Sequence, residues 1–218
     1  MSGTTVKPNT KCKNVNFLMK YFVVDNKLFD DKQYSYGEKY GNNSGEAVRC
    51  KCCNNFLTLL KWLPPYEIKL SKRNIGDFIF GSIDNFIVSD NFKEIYEKGS
   101  FSGIQKFNPV ILRYKSKTID AKYYFPDIIL SDAKVDLEKS KAIFGEGQEC
   151  SFCQKGNRLL RGINGLYLLN PENIKEDVFN PMLFPGRVIL SEKIVEAISH
   201  LTNLKIIQCS NYHPRWLK

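Results

Sequence analysis

The chain has 218 residues, of which 43% are hydrophobic and only 9 are proline, enough apolar material to bury a core and to exclude intrinsic disorder as its overall state. Its charge is unbalanced: 32 lysines and arginines stand against 23 aspartates and glutamates, and residues 1–75 carry 13 basic and 6 acidic side chains where residues 76–218 carry 19 and 17. No apolar run approaches the ~20 residues that span a bilayer, and residues 1–13 lack the apolar segment of a signal peptide, so no membrane role and a cytoplasmic location are expected.

In chain order, residues 17–24 read as a strand and residues 25–27 as the turn that follows it. Residues 33–46 are rich in Gly, Asn and Tyr, show neither helical nor strand period, and read as a loop. Pro64 and Pro65 then close the first region, because two successive prolines continue no regular element. Past residue 75 the chain becomes Phe- and Ile-rich. Ser89 and Asp90 form a helix start, with Phe92, Ile95 and Tyr96 on one face and Gly99 as the stop. Residues 104–114 are extended with a break at Pro109, and residues 122–130 read as another strand. Residues 188–190 are a further strand, Ser191 and Glu192 a second helix start, Ile194, Val195, Ile198 and Leu201 a helical face, and residues 204–207 a closing strand. Aligning Ser89 with Ser191 matches Asp90 to Glu192, Phe92 to Ile194 and Tyr96 to Ile198, which predicts a duplicated strand–helix–strand unit. Two copies fall short of a solenoid.

Seven cysteines in a chain expected to be cytoplasmic call for an explanation other than disulfides, and an odd number argues the same way. Four of them, Cys50, Cys53, Cys150 and Cys153, form two C-x-x-C pairs on turns. Each such turn places two thiolates on one side, and two turns supply the four soft ligands of a closed, structural zinc site. Four thiolates overcompensate a dication, which gives Lys51, Lys155 and Arg158 an electrostatic reason to lie nearby. Cys52 could replace a neighbour as ligand, whereas Cys12 and Cys209 have no local partner and read as packed thiols. A redox C-x-x-C needs groups that depress a thiol pKa in a strand-to-helix context, which neither pair clearly has.

No catalytic constellation stands out. His200 falls at the end of a predicted helix, where a cation caps carbonyls, and His213 lies in an aromatic, basic tail. Asp30 and Asp31 share a turn, poorly placed for paired acid–base work, and no phosphate-cradling glycine loop is present. The residues argue against an enzyme. Tyr34, Tyr36 and Tyr40, interleaved with Lys32 and Lys39, could stack on single-stranded bases, serve as a protein-binding epitope, or form an ordinary surface loop.

The order of these features resembles a known family. A Gly-rich lead-in precedes Val48-Arg49-Cys50-Lys51-Cys52-Cys53, Trp62-Leu63-Pro64-Pro65-Tyr66 follows, and Cys150-Ser151-Phe152-Cys153 comes after a middle region. The tail then runs through Asp177-Val178-Phe179 to Phe184-Pro185-Gly186-Arg187 and the final strand and helix. This is similar to the double-CXXCG-motif family, regarded as immunity proteins of contact-dependent, polymorphic toxin systems, over about residues 45–210. The family's pairs end in glycine, where this chain has Asn54 and Gln154. Asn tolerates the left-handed conformation that glycine supplies, and Gln departs further. The resemblance implies a protein that binds and neutralises one cognate toxin, with structural cysteines and a binding surface elsewhere. The basic net charge suggests an acidic patch on that toxin, or a toxin that is not a nuclease.

The expectation is therefore an α+β protein with mixed sheets and a few short helices, clipped by a four-cysteine zinc site. Residues 1–75 form a basic N-terminal region with the first knuckle, and residues 76–218 an α+β region with the second, packed as one unit. Its function is toxin neutralisation as an immunity protein. A zinc-stabilised nucleic-acid-binding protein, with binding that falls steeply as salt rises, is the alternative.

Overall fold

A computed structural model describes residues 19–25, 33–41, 43–83 and 85–214. The fold is α+β, with short strands in mixed sheets and two α-helices among the described residues. Helix α1 spans Asp90–Lys98 and helix α2 spans Glu192–Ile198. Ser89 caps α1 by accepting from the Phe92 N–H, Asp90 and Lys98 complement the helix dipole at the two ends, and Gly99 terminates it. Phe92 and Tyr96, one turn apart, form its buried stripe; Ile194 and Ile198 do the same on α2.

Each helix is flanked by a four-stranded antiparallel arrangement of the same design. In the first, the order is Phe78–Ile79, Ile87–Ser89, Tyr123–Ile128, Ile104–Pro109. In the second it is Val178–Pro181, Ile189–Ser191, Tyr21–Val24, Ile206–Gln208, with Leu130–Ser131 added in parallel at the edge. The registers correspond residue by residue: Tyr123 lies opposite Ser89 and Tyr124 opposite Val88, as Tyr21 lies opposite Ser191 and Phe22 opposite Leu190. The duplication expected from the helix caps is thus present, and it extends well beyond the strand–helix–strand unit.

The two repeats exchange their first strands. Tyr21–Val24 opens the N-terminal copy yet completes the sheet of the C-terminal copy, and Tyr123–Ile128 does the reverse. Details of the exchange repeat as well. The Glu192 N–H donates to the Lys20 carbonyl at 2.9 Å and the Asp90 N–H to the Lys122 carbonyl at 3.1 Å, while the Lys20 and Lys122 ammonium groups face Glu192 and Asp90 at 2.8 and 3.9 Å. Between the two sheets lies one core, made by Phe78, Val88 and Phe92 from one copy and Val178, Leu190 and Ile194 from the other. All six are at most 1% exposed. Burial of each such side chain contributes about 1.5–3 kcal/mol, so the exchange ties both copies into one hydrophobic unit.

Gly103 marks a close approach of the copies. Its φ is +106°, and a side chain there would collide with the Val178 carbonyl. The matching residue, Asn203, is left-handed too, at φ 61°, and its Nδ2 donates to the Phe78 carbonyl at 2.7 Å. Glycine allows contact on one side, and an amide bridges it on the other.

A further sheet belongs to the N-terminal copy, in the order Gly81–Ser82, Gly37–Lys39, Glu67–Leu70, Ile111–Tyr114, Lys117–Ile119. The stretch 33–46, expected as a loop, therefore contains a strand. Gly37 hides it from sequence reading: its missing side chain makes room for Ile68, Ile79 and Ile83, so the strand carries no apolar alternation of its own. Arg113 pairs with the buried carboxylate of Glu67 across the neighbouring strands of this sheet. No helix among the described residues is long and apolar enough to cross a membrane.

Candidate metal centre

Each cysteine pair sits at the tip of a hairpin. The first hairpin is held by bridges between Ser44 and Trp62 and between Arg49 and Phe56, the second by Ile143–Phe144 against Leu160–Gly162. Both turns close in the same way. The Asn54 N–H donates to the Cys50 carbonyl at 2.8 Å, and the Gln154 N–H to the Cys150 carbonyl at 2.7 Å. Asn54 and Gln154 then adopt left-handed conformations, φ 59° and 63°, at the positions where the double-CXXCG pattern has glycine. Gln154 has a second use: its Oε1 accepts from the Val135 N–H at 2.8 Å while its Nε2 donates to the Val135 carbonyl at 2.7 Å. The side chain imitates a paired strand. These two hydrogen bonds, at about 1 kcal/mol each, offset the left-handed backbone that a glutamine otherwise resists.

The structure brings Cys50, Cys53, Cys150 and Cys153 together, all four sulfurs lying within 4.8 Å of one another. The Cys50–Cys150 and Cys53–Cys153 sulfurs are 3.7 and 3.6 Å apart. A tetrahedron with Zn–S bonds of ~2.3 Å has edges of about 3.8 Å, which these two of its six edges match, and the others lie within 4.8 Å. Cys50, Cys150 and Cys153 are buried and Cys53 lies at the rim. Leu57, Leu130, Phe152 and Met182 surround them. The group could hold a metal ion.

Its electrostatics favour anionic sulfur at Cys50 and Cys150, whereas burial, followed by the neighbouring thiols, pushes Cys53 up to about 12. Burial alone would push the Cys50 thiol up, but the backbone N–H groups of Cys53 and Cys52, with the thiols of Cys53 and Cys150, outweigh it and hold it down to about 6. Cys150 is likewise held below the ordinary thiol value, by the Cys153 N–H foremost and then, against burial, by the Phe152 N–H. The Gly156 N–H points at the Cys153 sulfur at 3.5 Å. Cations gather around the knuckles: Lys51 stands over the Phe152 ring at 4.5 Å, and Lys134 donates to the carbonyls of Ser151 and Phe152 at 2.7 and 2.6 Å. Arg158 donates to the Gln154 carbonyl at 3.0 Å and pairs with Glu149 at 3.2 Å. A direct tie crosses the centre, from the Asn55 amide to the Gly156 carbonyl.

The remaining singled-out residues lie apart from this group. Cys52 is exposed outside it, and Cys209 is buried in the second core, its thiol pushed well up by burial. Cys12, Asp30, Asp31 and Lys32 fall outside the described residues. His200 lies exposed beyond the end of α2, where the hydroxyl of Ser199 instead meets the Glu196 carbonyl, and His213 is exposed as well. Tyr34 and Tyr36 are half-buried, which leaves Tyr40, 61% exposed, as the solvent-facing ring of that trio.

A family model described as the immunity protein family Imm11 matches residues 13–214, nearly the whole chain and both cysteine hairpins. The chain belongs to that family. The immunity-protein resemblance drawn from the cysteine pairs and the tail agrees with this assignment. No curated protein matches this Imm11 chain.

Proposed function

We propose that this Imm11 chain is a non-enzymatic, cytoplasmic immunity protein that binds one cognate toxin of a polymorphic, contact-dependent system and neutralises it. Membership of the immunity family over residues 13–214 is the observation that carries this reading. Zinc is the proposed metal, held by Cys50, Cys53, Cys150 and Cys153, and its role is structural. Four clustered sulfurs would fill a tetrahedral coordination sphere and leave no open position for water or substrate, which supports a clip rather than a catalyst. The two hairpins it joins lie about 100 residues apart in the chain, so the metal closes a long loop. Residues 1–75 and 76–218 act as one unit in this reading, supported by the pairing of Tyr21–Val24 with Ile189–Ser191.

Capture of the tagged chain from its own host, with and without nuclease, followed by native mass spectrometry, tests the proposal. The expected product is a one-to-one complex with a protein that kills cells when produced alone, stable to nuclease and high salt, with one zinc per chain. Recovery of nucleic acid alone, lost as salt rises, would replace this reading with the nucleic-acid alternative.

A further inference from the structure

A groove of about 330 Å³ opens between the first cysteine hairpin and the exchanged strand Tyr123–Ile128. Trp62 and Phe125 pack edge to face at 5.1 Å to form its apolar wall. Its rim is apolar as well, yet it stands in water: Val48, Leu59 and Leu60 are 51, 43 and 55% exposed. Exposed aliphatic side chains gathered around one concavity are the kind of surface that marks an interaction site.

The polar lining of the groove combines amides with three charged side chains. Asn180, 8% exposed, lines it, and its Nδ2 donates to the Ile128 carbonyl at 3.3 Å. The Oδ1 of the same amide is buried and has no hydrogen-bond partner among the described residues. The charged lining consists of Glu46, Asp127 and Lys61, and Lys61 faces Asp127 at 3.5 Å. In a chain with a net charge of +9, the charged lining of this groove is net negative by one, with Glu46 the carboxylate left over.

Resting on the immunity reading above, we propose that this groove receives a protruding segment of the cognate toxin carrying an apolar side chain beside a lysine or arginine. The apolar side chain fills the space against Trp62 and Leu60, and the N–H donors meet the carboxylates of Glu46 and Asp127. The local charge reverses the expectation, drawn from the whole chain, of an acidic patch on the toxin at this face.

The test uses the full chain and the purified toxin identified by host capture, with affinity measured by calorimetry. Leu60→Arg places a cation and removes an apolar contact at the rim, and should weaken binding at least ~30-fold, as loss of a central interface anchor does. Glu46→Arg should weaken it about 10-fold. Ile143→Arg, on the second hairpin and 61% exposed, should change it less than about 2-fold and serves as the control. Unchanged melting temperatures in all three show that the fold is intact. A photocrosslinker at residue 60 should then capture a toxin peptide with a basic residue next to an apolar one.

Wild-type binding with both rim variants inside 2-fold of it would overturn the groove as docking face and leave the immunity reading standing. A crosslinked peptide with no basic residue would overturn the stated chemistry. Failure of the wild-type chain to bind any toxin would remove the immunity reading and this proposal together. A dimer of the chain that Leu60→Arg dissociates without toxin would assign the groove to a second copy instead.

Discussion

Asp77 and Asp177 hold the two repeats together by the same pair of bonds, each made in the opposite direction. Asp77 accepts from the Ser89 hydroxyl of its own copy and the Thr202 hydroxyl of the other, both at 2.6 Å. Asp177 accepts from the Ser191 hydroxyl of its own copy at 2.8 Å and the Ser102 hydroxyl of the other at 3.2 Å. The Asp77 N–H returns a bond to the Thr202 oxygen at 2.8 Å, and the Asp177 N–H to the Ser102 oxygen at 3.2 Å. This reciprocity is what a two-fold interface shows between identical subunits, built here within one chain.

Removing either carboxylate should loosen the joint. Hydrogen bonds to a charged group contribute about 1.5–3 kcal/mol, so Asp77→Ala should lower stability by roughly 2–3 kcal/mol, and Asp177→Ala by a similar amount. Urea unfolding with unchanged m-value measures this. Coupling between Asp77→Ala and Thr202→Val should be large, because both remove one bond.

The same carboxylate gives the fold an acid sensitivity. Burial works against the charge on Asp77, but hydrogen bonds from Ser89, Thr202 and Asn91 outweigh it and hold the carboxyl below its usual range. The folded pKa lies below the unfolded one, so the contribution is complete above the ordinary carboxylate value of about 3.9 and is lost as pH falls through the folded value. Between pH 5 and 2, measured urea midpoints should fall less steeply in Asp77→Asn than in the wild type.

The exchanged strands predict complementation. A fragment ending at residue 116 lacks Tyr123–Ile128 and leaves Ile87–Ser89 and Ile104–Pro109 without the strand between them. Produced alone, it should aggregate or stay unfolded, since unpaired edges and an uncovered core favour association. Produced together with residues 117–218, it should co-purify as a folded pair. An independently folded, monomeric N-terminal fragment would contradict the exchange.

Metal removal is the next test. If zinc clips the hairpins, Cys50→Ser and Cys153→Ser should each lower the melting temperature, and chelator should do the same to the wild type. Thiol titration of the native chain should expose four additional reactive groups on chelation. Unchanged melting in both variants would remove the structural-metal proposal.

The knuckle residues separate two effects. Gln154→Gly relieves a left-handed backbone but deletes both bonds to Val135, and should cost about 1 kcal/mol. Asn54→Gly relieves a mild left-handed preference at the other knuckle and should stay within about 0.5 kcal/mol of neutral. Thermal melts of the two single variants distinguish these outcomes.

The sequence made the parts with local signatures legible. Cys50, Cys53, Cys150 and Cys153 declare themselves by spacing, and Ser89 and Ser191 by the acidic residue and apolar stripe that follow. Ser191 shows the limit of that reading, because its hydroxyl turns to Asp177 and makes no cap bond. The exchange of Tyr21–Val24 and Tyr123–Ile128 could not be read locally, since strand propensity does not name a partner. A weak signal existed: Cys50 and Cys150, Asp77 and Asp177, Ser102 and Thr202 all recur at one interval of 100. Gly37 and Gln154 were opaque for a different reason. Each breaks a compositional rule, and only the neighbours that fill the gap, Ile79 for one and Val135 for the other, explain it.

Cell survival tests the central claim most directly. Cells producing the captured toxin should die without this Imm11 chain and plate like uninduced cells with it, in proportion to formation of the one-to-one complex. Equal killing with and without the chain, in cells where both proteins accumulate, would contradict neutralisation.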